Sequence, residues 1–271
     1  MNKGVIALVV AVLVGGVAFM LTHKPEKVEK KATGTFKQAH EYGYGDKSSL
    51  DPASRGRVMQ ITEKLMSRLI RPDMKGSPSP DLATSWSAND AATEWTIKLR
   101  TGVKFHDGSA FDSGDVIYTF NRVLNPENKS PARSAIKMIE KMEAVDSSTV
   151  KFSLSTPFAD MPLQLMDYRL RIIPEGSGDS IATSGIGTGP FKLVSFDAAG
   201  VTKLEANIDY WEGAPGVAKM EIIGIGDGQA RMQALLGGQI DFENTVTNQQ
   251  KPMFASSNKF KMMEVPTGNW R

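Results

Sequence analysis

The chain has 271 residues, a near-neutral net charge of +2, 41% hydrophobic and 23% charged residues, and no cysteine. An ordinary globular core is therefore within reach. Nucleic acid, which needs a strongly basic face, is excluded as a partner, as are disulfides, thiolate zinc sites, cysteine nucleophiles and a lipid-modified cysteine anchor. The three histidines, His23, His40 and His106, form no pair at metal-ligand spacing, so no metal site is expected.

Lys3 precedes an apolar run at 4–21, closed by Thr22, His23 and Lys24. Residues 1–23 read as a secretory signal peptide, with Gly16 and Ala18 before a cut, or as an uncleaved membrane anchor, because the run is near the ~18-residue lower limit for a spanning helix. Both readings predict export. Residues 24–32 are lysine-rich and read as a polar tether, although this charge opposes export by the positive-inside rule.

Residues 36–44 read as a short strand ending in Tyr42, Gly43 and Tyr44. Val58, Ile61, Leu65 and Leu69 recur at helical spacing, and the helix should stop before Pro72. Residues 73–81, rich in Pro, Gly and Ser, read as a loop. Trp95, Ile97 and Leu99 alternate with polar residues, which predicts a strand with one buried face. Asp112 is placed to cap a helix, with Asp115 as the capping-box acid three residues on. Val116, Phe120 and Val123 form that helix's core stripe, and Asn125-Pro126 ends it. Val150, Phe152 and Leu154 mark another strand. Residues 191–196 and 220–225 read as strands, 230–236 as a helix ended by Gly237-Gly238, and 240–242 as the start of a further strand. No internal repeat is visible, and strands interleaved with helices imply an α/β fold.

His106 beside Asp107 reads as a turn whose side chains bond local backbone, in preference to a catalytic pair. The glycine-rich stretch 185–190 is not a phosphate loop. Such a loop must open a helix with free N–H groups, whereas Pro190 has none and a strand follows. Trp95, Tyr210 and Trp211 read as packing residues. No nucleophile stands beside a base, so the chain is read as no enzyme, with no cofactor.

Four blocks carry a resemblance that spans the chain from about Phe36 to its end. The first joins Ser49-Leu50-Asp51-Pro52 to Pro80-Asp81-Leu82-Ala83-Thr84-Ser85-Trp86. The second runs from Trp95 through His106-Asp107-Gly108 to Asp115-Val116-Ile117-Tyr118-Thr119-Phe120-Asn121-Arg122. The third is Gly187-Thr188-Gly189-Pro190-Phe191. The fourth joins Asn207-Ile208-Asp209-Tyr210-Trp211 to Leu235-Leu236-Gly237-Gly238-Gln239-Ile240-Asp241-Phe242. In this order they resemble extracellular solute-binding protein family 5, which includes the oligopeptide-, dipeptide- and nickel-binding components of ABC importers.

The resemblance implies a periplasmic-binding-protein type II lobe with an inserted α+β subdomain. Lobe I would comprise 33–60 and 157–265, the insertion 61–156, and 266–271 the start of a crossing to a second lobe missing from this chain, which reads as a C-terminal truncation. It further implies a peptide or other small solute as ligand, ABC permease subunits as partners, and a location in the periplasm or on the outer face of the cytoplasmic membrane. Peptide, nickel chelate, opine and sugar all remain open as ligands, because fold alone does not settle them. A membrane-tethered peptide sensor, or a chaperone-like binder on the same fold, is the alternative.

By position, the half-site would use Tyr42, Gly43 and Tyr44 at a strand's carboxyl end, where open α/β sheets hold ligands. Ser48 and Ser49 follow in the next loop. Tyr168, Arg169 and Arg171 lie in the segment that lines the cleft in such proteins. An arginine there would grip a ligand carboxylate bidentately; the alternative is a solvated strand-face charge.

Overall fold

The computed structural model describes residues 32–41, 47–56, 58–244, 246–255 and 259–262. The expected signal or anchor segment, residues 24–31 of the tether, Tyr42, Gly43, Tyr44 and the crossing at 266–271 lie outside the described residues. Among those described, no helix is long and apolar enough to cross a membrane.

One sheet is built from β1 (Thr35–His40), β8 (Phe191–Ser195), β9 (Val201–Ala206) and β10 (Lys219–Gly224), in the order β1-β10-β9-β8. β1 and β10 run parallel, with Thr35 opposite Lys219 and His40 opposite Gly224; the other pairs are antiparallel. The expected strand at 36–44 is thus a strand from Thr35 to His40 in its described part. Helix α1 (Met59–Leu65) packs Ile61 and Leu65 into a core with Leu50, Ile173, Leu204 and Ile222.

The stripe Val58-Ile61-Leu65-Leu69 predicts a longer helix than forms. Met66 is already extended, at φ −134° and ψ 134°. Ser67 O accepts from Ile172 N–H at 3.0 Å, and Arg68 bridges Arg171 across an antiparallel pair. Pairing with 171–172 therefore replaces the next helical turn, and Leu69 is carried into a different core. Residues 73–81 are not simply a loop either. β2 (Ile70–Pro72) and β3 (Pro78–Pro80) form a hairpin, whose turn is tied by Asp73 Oδ1 accepting from the N–H groups of Lys75 and Ser77, both at 2.8 Å.

A second, fully antiparallel sheet joins β4 (Ala83–Ala88), β5 (Glu94–Leu99), β6 (Ile139–Asp146) and β7 (Thr149–Leu154) in the order β4-β5-β7-β6. Helix α2 (Ser113–Leu124) packs against it. Its capping box forms as expected: Gly114 N–H donates to Asp112 Oδ1 at 2.7 Å, and Asp112 N–H donates to Asp115 Oδ2 at 2.9 Å. Val116, Phe120 and Val123 are buried, and the helix ends where Asn125 turns extended before Pro126. The short helices α3 (Arg133–Ile136) and α4 (Met161–Leu165) add Ile136, Met161 and Leu165 to this larger core, while α5 (Ile181–Ser184) adds Ile181 to the first.

A third cluster gathers Ala39 of β1 with Met232 and Leu235 of α6 (Gly228–Leu236), Ile240, and Phe254 of α7 (Pro252–Ala255). The strand expected at 240–242 is reduced to one parallel bridge, Gln38 to Phe242. Asp241 explains why: its carboxylate takes the Lys37 N–H at 2.7 Å, so a side chain occupies the donor that a ladder carbonyl would use.

Candidate functional site

The motif blocks meet where α1 ends. Gly189 N–H donates to Leu65 O at 2.9 Å. A Cβ on Gly187 would stand 2.2 Å from Leu65 O, and one on Gly189 would stand 2.5 Å from Lys64 O. The two glycines therefore exist for close backbone approach. His106 locks this contact. Its Nδ1 accepts from Gly187 N–H at 3.3 Å, its Nε2 lies 3.1 Å from Gly189 O, and its own N–H reaches Gly187 O at 2.9 Å. Asn207 adds Nδ2–H to Gly189 O at 3.0 Å. The expectation of purely local bonding holds for Asp107, which binds Ser109. It fails for His106, whose half-buried ring is held against the backbone of Gly187 and Gly189, 81 and 83 residues on, because the fold packs that segment against it.

This geometry requires a neutral imidazole with the proton on Nε2. Burial, reinforced by the charge of Lys192, pushes the His106 pKa down to about 4 against the opposing bond to Gly189. In the unfolded chain the ring takes up a proton below about pH 6.5, while the folded chain holds it neutral to about 4. Stability should therefore fall as pH drops through that window, by up to about 3 kcal/mol from this residue, and stay flat above it. Urea unfolding of wild type and His106→Gln across the window checks this. Parallel pH profiles would assign the titration elsewhere.

The first block forms a second junction. Asp51 accepts from Arg122 through both terminal nitrogens, at 3.0 and 2.6 Å, and also from Ala53 N–H at 2.9 Å. Of the expected loop serines, Ser49 is buried. Its hydroxyl accepts from Asp51 N–H at 3.0 Å, and its backbone pairs with Gly56 and Val58. Ser48 precedes it, half-buried. Sequence reasoning missed the Asp51–Arg122 pair, although both partners stand in quoted blocks; the available signal was one acid and one base in separate motifs.

The 168–171 segment is split by its surroundings. Tyr168 is exposed, with the Arg169 guanidinium 5.4 Å from its ring centroid. Arg169 is held by Asp167, through Nε at 2.7 Å and a terminal nitrogen, and donates Nη1 to Pro131 O at 2.8 Å. Arg171 is 5% exposed and donates Nη1 to Met66 O at 2.6 Å; among the described residues it makes no ion pair and its Nε has no hydrogen-bond partner. Burial, followed by the charge of Arg68 across the bridge, lowers its pKa to about 10. Burial also lowers Arg68, against the opposing charges of Asp81, Glu63 and Asp167, and Arg68 donates Nη1 to Met166 O at 2.7 Å.

The carboxyl ends of the parallel strands β1 and β10 form a third locus. Ile225 N–H donates to His40 O at 3.0 Å, so the two ends stay together. Asp227 then caps α6, accepting from Ala230 N–H at 2.7 Å. Arg231, buried on α6, closes the turn by donating to Ile225 O and Gly226 O and lies 3.2 Å from the Glu243 carboxylate.

A four-stranded mixed sheet carrying helices, joined in one chain to an antiparallel sheet with its own helix, is the architecture of a type II periplasmic binding protein. Nickel ABC transporter from Bacillus halodurans has this structure, with a TM-score of 0.73 and 26% identity over 83% of this chain and 46% of that one. So does the periplasmic binding protein DppA from Helicobacter pylori in complex with the peptide STSA, with a TM-score of 0.69 and 26% identity over 78% and 46%. Residues 77–271 match the model of bacterial extracellular solute-binding proteins, family 5 Middle, and the chain belongs to that family. It is 31% identical over 191 residues to the glutathione-binding protein GsiB of Pectobacterium atrosepticum, and 28% identical over 193 residues to GsiB of Escherichia coli. In both cases 69% of this chain is covered but only 37% of the relative, so the chain spans well under half their length.

Proposed function

We propose that this chain supplies lobe I of the substrate-binding component of an ABC-type importer. That component captures a peptide or a similar small solute outside the cytoplasmic membrane and delivers it to the permease. The family match over 77–271, with relatives whose names specify glutathione and a bound peptide, carries the reading. Binding without chemistry is the role it assigns, and export through residues 1–23 goes with it. In this division lobe I is 33–60 with 157–265, and 61–156 is inserted. The second sheet, 83–154, is the body of that insertion, while α1 packs its apolar side chains on lobe I.

The proposed ligand half-site draws on Tyr42, Gly43, Tyr44, Ser48, Ser49, Tyr168, Arg169 and Arg171. Of the two arginines, Arg171 is the better carboxylate holder. Arg169 is already forked onto Asp167, whereas Arg171, among the described residues, keeps an uncommitted Nε and meets no carboxylate within ion-pair distance. Calorimetry with glutathione and with di- to pentapeptides, on the chain extended to its relatives' length, tests the reading. Micromolar or tighter binding is expected, weakened by about 2–5 kcal/mol in Arg171→Ala. No heat with any of these ligands would remove the peptide reading. Wild-type affinity in both Arg169→Ala and Arg171→Ala would remove the half-site.

A further inference from the structure

Away from the strand ends, an open depression of about 500 Å³ lies against the segment that joins α2 to β6. Arg55, Lys129, Arg133 and Lys137 line it together with Ser130 and Ser134, and no carboxylate residue among the described residues does. Four cations on one small surface stand against an excess of only +2 for the whole chain. None of the four makes an ion pair among the described residues. Like charges held together repel, so an unneutralised group of this kind favours an anionic ligand.

Three local features point the same way. Arg133 is prepositioned: its Nε donates to Leu124 O at 2.9 Å, which orients the guanidinium and leaves both terminal nitrogens without a described partner. Ser130 is 7% exposed; its hydroxyl accepts from Ala132 N–H at 3.3 Å and donates to no described group. Lys129 sits at φ +48°, a left-handed conformation that is unfavourable for a lysine and almost free for a glycine. Behind the rim, Arg169 anchors the carbonyl of Pro131, another lining residue, at 2.8 Å.

We propose that this depression binds a phosphate group. A tetrahedral phosphate offers three or more acceptor oxygens and, as a monoester or pyrophosphate, about two negative charges. It can meet the arginine fork, the lysines and the buried hydroxyl from different directions. A planar carboxylate with a single charge satisfies fewer of them. The phosphate arrives either as a soluble phosphate compound or as an anionic lipid headgroup.

The 271-residue chain is titrated with pyrophosphate by calorimetry at low salt, and separately sedimented with phosphatidylglycerol and with phosphatidylcholine vesicles. Arg133→Gln/Lys137→Gln should weaken binding at least tenfold. Lys75→Gln/Lys203→Gln, which removes the same charge from exposed positions elsewhere, should leave it unchanged. Lys129→Gly should weaken binding severalfold while melting no lower than wild type, a combination that a purely structural role would not give. Saturable pyrophosphate binding assigns a soluble phosphate. Capture by phosphatidylglycerol vesicles alone, lost in the Arg133/Lys137 variant, assigns a lipid headgroup. Binding by neither probe, or equal loss in the two double variants, overturns the proposal.

Discussion

Removing either member of the Asp51–Arg122 pair is expected to cost about 3–5 kcal/mol of folding stability. The two side chains are 12% and 17% exposed, so neither charge is well solvated if its partner goes. The contact is bidentate, at 3.0 and 2.6 Å, and joins the loop after β1 to the last turn of α2. Asp51 also holds Ala53 N–H, which fixes the turn that presents it. Asp51→Ala would strand a guanidinium beside Tyr118 and the Gly178 carbonyl; Arg122→Ala would strand a carboxylate. Replacing both together by apolar residues of similar size should cost much less, because no uncompensated charge remains. A double-mutant cycle by urea unfolding decides it. Single-variant losses below about 1 kcal/mol would mean that water reaches the pair, and that it behaves as a surface bridge.

Phe120→Ala should cost a similar amount, about 3–5 kcal/mol, by a different mechanism. The ring is fully buried on the core face of α2, with its centroid 5.3 Å from that of Phe152 on β7. Truncation loses the transfer energy of the ring and opens a cavity between a helix and a sheet that cannot both collapse onto it. Phe120→Leu refills most of the volume and should recover more than half of the loss. Thermal or urea unfolding of the two variants separates cavity from burial. A loss below about 1 kcal/mol in the alanine variant would place another side chain at the centre of this core.

The two predictions differ in how far they were legible in the sequence. Phe120 was read from periodicity alone, because the spacing of Val116, Phe120 and Val123 reports one helix face, and Asp112 and Asp115 mark its start. Those signals lie within a dozen residues, and local hydrogen bonds and burial decide them. The Asp51–Arg122 pair lies 71 positions apart. No local pattern specifies which of many acids meets which of many bases. His106 shows the same limit: its neighbours in sequence suggested a self-contained turn, but its ring is spent on a glycine segment brought in by the first sheet.

For the half-site, sequence position placed Arg169 and Arg171 side by side as equals. Tertiary packing separates them. Asp167, two residues away, captures Arg169, while the bridge to Arg68 buries Arg171 against Met66 O and leaves its Nε unbonded. The basic depression was not visible in the sequence, because Arg55 is far in the chain from the other cations that share it.

What the sequence by itself determined is everything whose cause is local: the alternating strands, the capped helix, the exclusion of cysteine chemistry, and the ordered motif blocks that mark the family. The tertiary structure decided where α1 stops, why 240–242 makes one bridge in place of a strand, and which charged groups are paired, buried or left open. Those outcomes are competitions between long-range partners for the same backbone donors and the same buried volume, and their energies exist only once the chain has brought the competitors together.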